Sequence, residues 1–168
     1  MLKKKFSRYF GLFNAVILLA GFFPVSYLSI SSGALHCNIR SKYFSLRWRH
    51  SVEKQLWYEH YRHQANQFEL FESWLQTFGA GTPSYTTAIT NAPQGYIGYK
   101  HQIRVNELDW VVSPNMEGTF LVEHKEIPLY QYLPEYSVVH IQSKRAPFWF
   151  YLLRSSCNVS SKNAKPAN

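Results

Sequence analysis

Apolar and polar residues alternate along much of the chain, which is the pattern of strands with one buried face. Within residues 43–50 (YFSLRWRH), Phe44, Leu46 and Trp48 alternate with polar or basic side chains. Residues 53–63 are rich in aromatics and show no helical stripe, which favours a strand. The pattern predicts strands over residues 43–50, 53–63, 68–78, 100–105, 110–112, 119–123, 136–143 and 148–153. No soluble helix is predicted, so the fold class is all-β, a small β-sandwich or barrel of seven to eight strands.

Glycine and proline interrupt this pattern in the middle of the chain. Residues 79–83 (GAGTP) hold two glycines and a proline, which predicts a loop with unusual backbone angles. Residues 84–98 lack periodicity and are predicted to form a long irregular loop. The short segments 100–105 and 110–112 flank residues 106–109 (NELD) and are predicted to pair as a hairpin.

The N-terminal segment differs from the rest because residues 10–30 carry no charged side chain. At about 1.5 Å per residue, one hydrophobic helix of this length spans roughly 30 Å, the thickness of a bilayer core. Four basic residues precede it: Lys3, Lys4, Lys5 and Arg8. They predict a single-pass anchor in the cytoplasmic membrane, with the remainder on the periplasmic side. The alternative is a signal peptide cleaved after Ala34, which would release the domain into the periplasm.

Either reading divides the chain into an anchor or signal peptide at residues 1–34, an exported β domain at 35–155 and a disordered tail at 156–168. The net charge of +8 reflects this division, because four of the eighteen basic residues precede residue 10. The rest carries 14 basic and 10 acidic side chains, a balance that does not predict a nucleic-acid partner. The predicted partner of residues 10–30 is the membrane.

The two cysteines, Cys37 and Cys157, lie just before the first and just after the last predicted strand of the exported domain. An oxidising compartment favours pairing, and the ends of a domain often lie close together. We therefore predict a disulfide between them. The alternative is two free thiols.

Candidate chemistry centres on His50, Ser51 and Glu53, together with the glycine loop at Gly79 and Gly81. An imidazole presented from a bend and oriented by a carboxylate could form a catalytic or binding corner. Adjacent backbone N–H groups of the glycine loop could bind an anion. On a regular strand His50 and Glu53 point to opposite faces, so a shared site requires a turn near Ser51. The alternative is a structural role, in which these side chains hydrogen-bond to the backbone.

Other chemistry has little support in the sequence. There is no nucleophile elbow, P-loop or dinucleotide fingerprint. Glu59, His60 and His63 are the nearest approach to a metal cluster, but zinc needs three or four convergent ligands and no second cluster accompanies them. We predict no metal, no cofactor and no catalytic residues, and an enzyme is not the favoured interpretation.

Two segments carry a resemblance to a known family. Residues 47–53 (RWRHSVE) and 76–83 (QTFGAGTP) resemble the His-Ser-Val-Glu and Gly-Ala-Gly-x-Pro motifs of a bacterial family of unknown function. Members are often encoded beside TRAP-type solute transporters of the TAXI class. The resemblance implies a membrane-tethered periplasmic accessory domain whose partner is a transporter subunit or solute-binding protein. The alternative is a periplasmic ligand-binding or hydrolytic protein with its site at His50, Glu53 and the Gly79–Gly81 loop. Convergence of these residues on one cavity would favour the alternative.

Overall fold

The computed structural model describes residue 14 and residues 18–33, 35–84, 86–154 and 157–159. The described chain is mostly β-strand and forms two antiparallel sheets arranged like a sandwich, neither of which closes into a barrel. The all-β prediction is therefore confirmed, with the sandwich as the form it takes, whereas the predicted seven to eight strands are too few, because the described residues form twelve.

The smaller sheet has five strands in the order β12-β2-β1-β11-β8. Their bounds are β1 Pro24–Ser32, β2 Leu35–Ile39, β8 Glu107–Val112, β11 Ser137–Pro147 and β12 Cys157–Val159. The larger sheet has seven strands in the order β10-β9-β3-β4-β5-β7-β6. Their bounds are β3 Tyr43–Arg49, β4 Leu56–Gln64, β5 Gln67–Leu75, β6 Thr87–Ile89, β7 Ile97–Val105, β9 Thr119–Val122 and β10 Lys125–Pro128. Two short helices complete the structure, α1 Leu129–Tyr132 and α2 Phe148–Arg154, with a 3₁₀ turn at Pro114–Met116.

The alternating pattern places one face of each sheet in the shared core. Phe44 of β3 stacks on Tyr61 of β4 and Phe120 of β9, with ring centroids 5.0 and 5.3 Å apart. Leu28 and Ile30 of β1 reach the same core from the smaller sheet and are at most 1% exposed. Burial of such side chains is worth about 1.5–3 kcal/mol each, so this layer is the main stabilising element of the sandwich.

The prediction of one hydrophobic helix through residue 30 is wrong for its C-terminal third. Pro24–Ser32 forms β1, which pairs with β2 on one side and β11 on the other. The sheet therefore includes residues that the predicted division assigned to the anchor. Residues 18–20 are helical, while residues 10–13 and 15–17 of the predicted segment lie outside the described residues. No helix in the described part of the chain is long and apolar enough to span a membrane.

Two further predictions are wrong at the level of elements. Residues 148–153 form the helix α2 rather than a strand. β7 and β8, predicted to pair as a hairpin, belong to different sheets, and the chain crosses between the sheets at Asn106. The predicted irregular loop 84–98 also contains a short strand, β6.

The predicted disulfide between Cys37 and Cys157 is confirmed, and the two Cα atoms lie 4.0 Å apart. Cys157 begins β12, which pairs with β2 through Cys37, so residues 157–159 of the predicted tail belong to the sheet. Residues 156 and 160–168 of that tail lie outside the described residues. The bond covalently joins the edge strand β12 to the strand beside it.

Candidate functional site

The β3–β4 turn and the loop after β5 meet at one end of the larger sheet. The turn spans residues 50–55 and is closed by two backbone hydrogen bonds, from His50 N–H to the Gln55 carbonyl (2.8 Å) and from Lys54 N–H to the His50 carbonyl (3.0 Å). The loop, residues 76–86, is tied to the start of β4 because the Gln76 side chain accepts a hydrogen bond from Leu56 N–H at 2.8 Å. The two segments that carried the family resemblance therefore lie in contact.

His50 is the main residue that connects the turn to the loop. Its Nε2 lies 3.0 Å from the carbonyl oxygen of Ala80 and must carry a proton, because a carbonyl only accepts. Its Nδ1 contacts the carboxylate of Glu53 and lies 3.3 Å from the backbone nitrogen of Val52. The imidazole also stacks on Trp57, with ring centroids 4.5 Å apart. All of its polar atoms thus bind the turn and the loop.

The glycine loop is shaped for this contact. Gly79 lies against the Glu53 carboxylate so closely that a Cβ at residue 79 would overlap it. Gly79 N–H donates to Thr82 Oγ1 at 2.8 Å, and Gly81 adopts a left-handed φ of 87°, which favours glycine. The structure thus brings together four of the five residues predicted as a corner, whereas Ser51 is exposed on the turn.

A cavity of about 350 Å³ lies beside the contact between the β3–β4 turn and the loop after β5, on the inner face of the larger sheet. Among the described residues its lining comes only from β3, β4, β5, β7 and the loop after β5. Trp48 and Trp57 form its aromatic wall, and Gly81 contributes from the loop. His50 and Glu53 are not part of the lining, so the predicted corner holds the loop that walls the cavity instead of facing into it.

Polar side chains from three neighbouring strands enter the cavity: Glu59 from β4, Ser73 from β5 and His101 from β7. Glu59 and Ser73 are paired across the sheet, and Ser73 Oγ lies 2.8 Å from His101 Nε2. Tyr61 O–H donates to the Glu59 carboxylate at 2.6 Å. These groups occupy inward positions in a sheet whose other inward residues are mainly apolar.

Burial shifts the protonation of two of these groups. It raises the pKa of the Glu59 carboxyl, and the hydrogen bond from Tyr61 only partly opposes that rise. It lowers the pKa of His101, so this imidazole is mainly neutral at pH 7. The cavity therefore offers a neutral histidine and a carboxyl group that holds its proton more tightly than one in water.

Three buried polar atoms of the cavity lining have no hydrogen-bond partner among the described residues: Trp57 Nε1, Thr86 Oγ1 and His101 Nδ1. Buried polar groups are nearly always hydrogen-bonded, because leaving one unpaired costs about 1–3 kcal/mol. Three residues of one lining thus carry a buried polar atom without a partner among the described residues, which makes this cavity the candidate site.

The cavity does not have the layout of a serine hydrolase. Such a site needs an acid on the histidine nitrogen that faces away from the serine. Ser73 and His101 form the first half of that arrangement, but no described side chain hydrogen-bonds to His101 Nδ1. The pair is better suited to ligand binding than to nucleophilic attack.

Metal-ligating side chains do not converge in the described residues either. Glu59 pairs with Leu46 on the inner face, whereas His60 pairs with Ser45 on the outer face. His63 contacts Ser143 of the other sheet at 2.6 Å. The three residues considered for a metal are thus distributed over two faces of the sheet.

A larger cavity, about 710 Å³, lies beside the disulfide and is lined by charged residues that include Arg40, Glu123 and Glu126. None of the buried unpaired polar atoms of the described chain lines it. Glu126 is already paired with Arg47 at 2.8 Å. Nothing about this cavity requires a ligand, so the cavity of about 350 Å³ beside Trp57 is the better candidate site.

Sequence patterns missed most of the cavity. Glu59 falls in the same alternating register as Trp57 and Tyr61, so a charged residue at an inward position was a usable signal. Ser73 gave no such signal, because β-bulges shift the register of β5 on both sides, and alternation from Leu70 would turn residue 73 outward. The contact between His101 and Ser73 could not be predicted from the sequence, because it depends on the shifted pairing of β5 with β7.

The fold and cavity define a small β-sandwich domain of unestablished activity, and comparison with known families agrees. The profile described as Domain of unknown function (DUF1850) matches residues 44–129. The match covers just over half of the chain, which therefore belongs to this family. No curated protein and no solved structure matches the chain. The predicted membership of a family of unknown function is confirmed, and every residue that lines the cavity lies within the matched segment.

Proposed function

We propose that this protein is a binding domain without catalytic activity that takes a small polar ligand into the cavity between Trp57 and His101. The observation that carries the proposal is that three residues lining one cavity each have a buried polar atom without a partner among the described residues. The volume of about 350 Å³ lies at the lower end of the range for small-molecule sites.

The lining defines the chemistry of the ligand. Trp57 Nε1–H can only donate, so the ligand carries a hydrogen-bond acceptor, such as a carbonyl or carboxylate oxygen. The Glu59 carboxyl group keeps an acceptor oxygen in either protonation state, so a ligand donor such as an amine or amide can pair with it. An apolar or planar portion would pack against the indole of Trp48. Small amides and amino-acid-like molecules fit this description.

The proposed place of action is the periplasmic side of the cytoplasmic membrane. The basic residues before residue 10 and the uncharged segment that follows support attachment to the membrane. The disulfide supports an oxidising compartment. Together with the gene neighbourhood that the resemblance implies, these features support an accessory role beside a TAXI-type TRAP transporter or its solute-binding protein. A cavity for a small solute is consistent with that role.

The alternative of a ligand-binding or hydrolytic site at His50, Glu53 and the Gly79–Gly81 loop is not proposed. Both side chains converge with the glycine loop, as that alternative required, but His50 hydrogen-bonds to the loop, Glu53 packs against Gly79, and neither residue lines the cavity. Their geometry favours a structural role that supports the binding site.

The test compares two tryptophan variants of the full chain with its disulfide intact. Trp57→Phe keeps an aromatic ring in the cavity and removes the unpaired donor. Trp74→Phe is the matched control, because its Nε1–H donates to Glu72 on the outer face of the sheet. A panel of small amines, amides, carboxylates and amino acids would be screened by thermal shift, and each hit measured by calorimetry.

We expect a hit that binds the wild type and Trp74→Phe equally, and Trp57→Phe about tenfold more weakly, the scale of one lost hydrogen bond. Equal binding by both variants, or no binding by any member of the panel, would contradict the proposed site.

A further inference from the structure

The helix α2 exposes an unusual amount of apolar surface. Its seven residues (FWFYLLR) include no buried side chain, and Leu153 is 87% exposed. Tyr151 faces the sandwich, where its ring lies 5.6 Å from that of Tyr27 and its hydroxyl accepts a hydrogen bond from Arg40 N–H at 3.1 Å. A surface helix normally buries its apolar side and exposes its polar side. α2 has almost no polar side to expose.

The segment before β1 continues this surface. Phe22 and Phe23 are 68% and 72% exposed. The segment is joined to α2 because Trp149 Nε1–H donates to the Leu18 carbonyl at 3.2 Å, and Trp149 N–H donates to the Gly21 carbonyl at 3.1 Å. The Trp149 indole lies directly on Gly21, where any Cβ would overlap it. Residues 18–23 and α2 are thus one structural unit, which we call the apolar end.

Charge is distributed in a way that suits this end to a negatively charged surface. All ten acidic residues of the chain lie from Glu53 to Glu135. Among the described residues, Lys144, Arg145 and Arg154 lie in α2 or in the part of β11 that leads into it, and Lys144 and Arg154 line one cavity together with Phe150 and Leu153. Arg154 lies over the Phe150 ring at 4.5 Å, so its cation is placed at the edge of the exposed aromatic surface.

Strand pairing fixes the direction in which the apolar end points. Pro24 of β1 is paired with Pro147 of β11, so residues 18–23 and α2 leave the sheet at the same end. The uncharged N-terminal stretch from residue 10 continues from this end along the chain. The other end of β11, at Ser137, is about 35 Å away at the usual rise of a strand.

We propose that the apolar end is a second membrane contact, with α2 lying in the interfacial layer of an anionic bilayer beside the N-terminal segment. Exposed aromatic and leucine side chains rimmed by basic residues are the composition of interfacial helices. This inference rests on the proposed attachment to the membrane and adds an orientation to it, because two contacts fix the axis of β11 relative to the bilayer. A single flexible tether would leave that axis free.

The experiment places the photo-crosslinking residue benzoylphenylalanine at position 153 in the full chain. The matched control carries it at position 111, since Val111 is also exposed, at 49%, but lies near the far end of β11, paired with Val138. Each protein is reconstituted into vesicles of phosphatidylcholine with or without phosphatidylglycerol, floated on a gradient and irradiated. Lipid adducts are counted by intact mass.

We expect lipid adducts at position 153 to exceed those at position 111 by at least about fivefold, and to increase with phosphatidylglycerol at low salt. Equal adduct yields in protein that floats with the vesicles would overturn the contact through α2 and leave the N-terminal attachment standing. Protein that does not float would overturn both.

Discussion

At the residue scale, His50 links the sequence motif to the loop beside the cavity without being part of the cavity lining. One nitrogen holds Ala80 of the loop, the other faces Glu53, and the ring packs against Trp57, which lines the cavity. A side chain with this many fixed contacts contributes to stability first and affects binding only by positioning the loop.

Replacement of His50 by alanine tests this role. The loss of the hydrogen bond to Ala80, of the contacts with the turn and of the packing on Trp57 should lower the free energy of unfolding by about 1–3 kcal/mol. Ser51→Ala is the matched control from the same turn, and because Ser51 is exposed we expect a change within about 0.5 kcal/mol. Urea denaturation measures both. If His50→Ala is as stable as Ser51→Ala but no longer binds ligand, His50 contacts the ligand and the structural assignment is wrong.

At the scale of elements, the accuracy of the sequence-based prediction depended on how regularly apolar and polar residues alternate in each segment. β3, β4, β5 and β9 alternate and were predictable to within a few residues. β1 was not, because residues 24–30 continue an uncharged apolar stretch, and such a stretch alone does not distinguish a strand from a helix. α2 was mistaken for a strand because its aromatic residues favour strands locally, whereas its contacts with Leu18 and Gly21, distant in sequence, hold it as a helix.

The position of β1 bears directly on processing of the N-terminus. Cleavage after Ala34 would remove a strand that pairs on both sides and buries Leu28 and Ile30 in the core. Those two side chains alone are worth about 3–6 kcal/mol, comparable to the whole stability of a small domain. We therefore expect the mature chain to retain residues 24–34.

Intact mass of the protein purified from bacterial membranes checks this expectation. A mature chain that begins at Leu35 would contradict it and would require the sandwich to fold without β1.

At the scale of the whole molecule, the proposed binding site and the proposed membrane contact lie in different parts of the sandwich. Among the described residues, the cavity and the contact between His50, Glu53 and the glycine loop are built from the larger sheet and its loops, within the segment that matches the family. The apolar end belongs to the smaller sheet and lies outside that segment. The proposed membrane contact and the proposed binding site therefore lie on different sheets, so variants at one need not touch residues of the other.

The disulfide stabilises the sheet that carries the apolar end. It joins β2 to the edge strand β12 across a sequence separation of 120 residues. β12 is the element that follows α2 in the chain. In the chain-entropy model a loop of this length is worth roughly 4–5 kcal/mol, and measured losses for natural disulfides are about 2–5 kcal/mol. Replacement of Cys157 by alanine should therefore lower the free energy of unfolding by about 2–5 kcal/mol in urea denaturation. Cys157 is the better site for the change, because Cys37 is only 1% exposed and its replacement would also disturb the core.

Reduction provides the control for this measurement. Dithiothreitol should lower the stability of the wild type to that of Cys157→Ala and leave the variant unchanged. The bond does not contact the proposed binding cavity beside Trp57, so ligand affinity should stay the same in the folded variant. Lipid adducts at position 153 should decrease, because β12 and the end of α2 become less firmly held. If the variant keeps full stability and the same adduct yield, the disulfide does not hold the membrane-facing end in place.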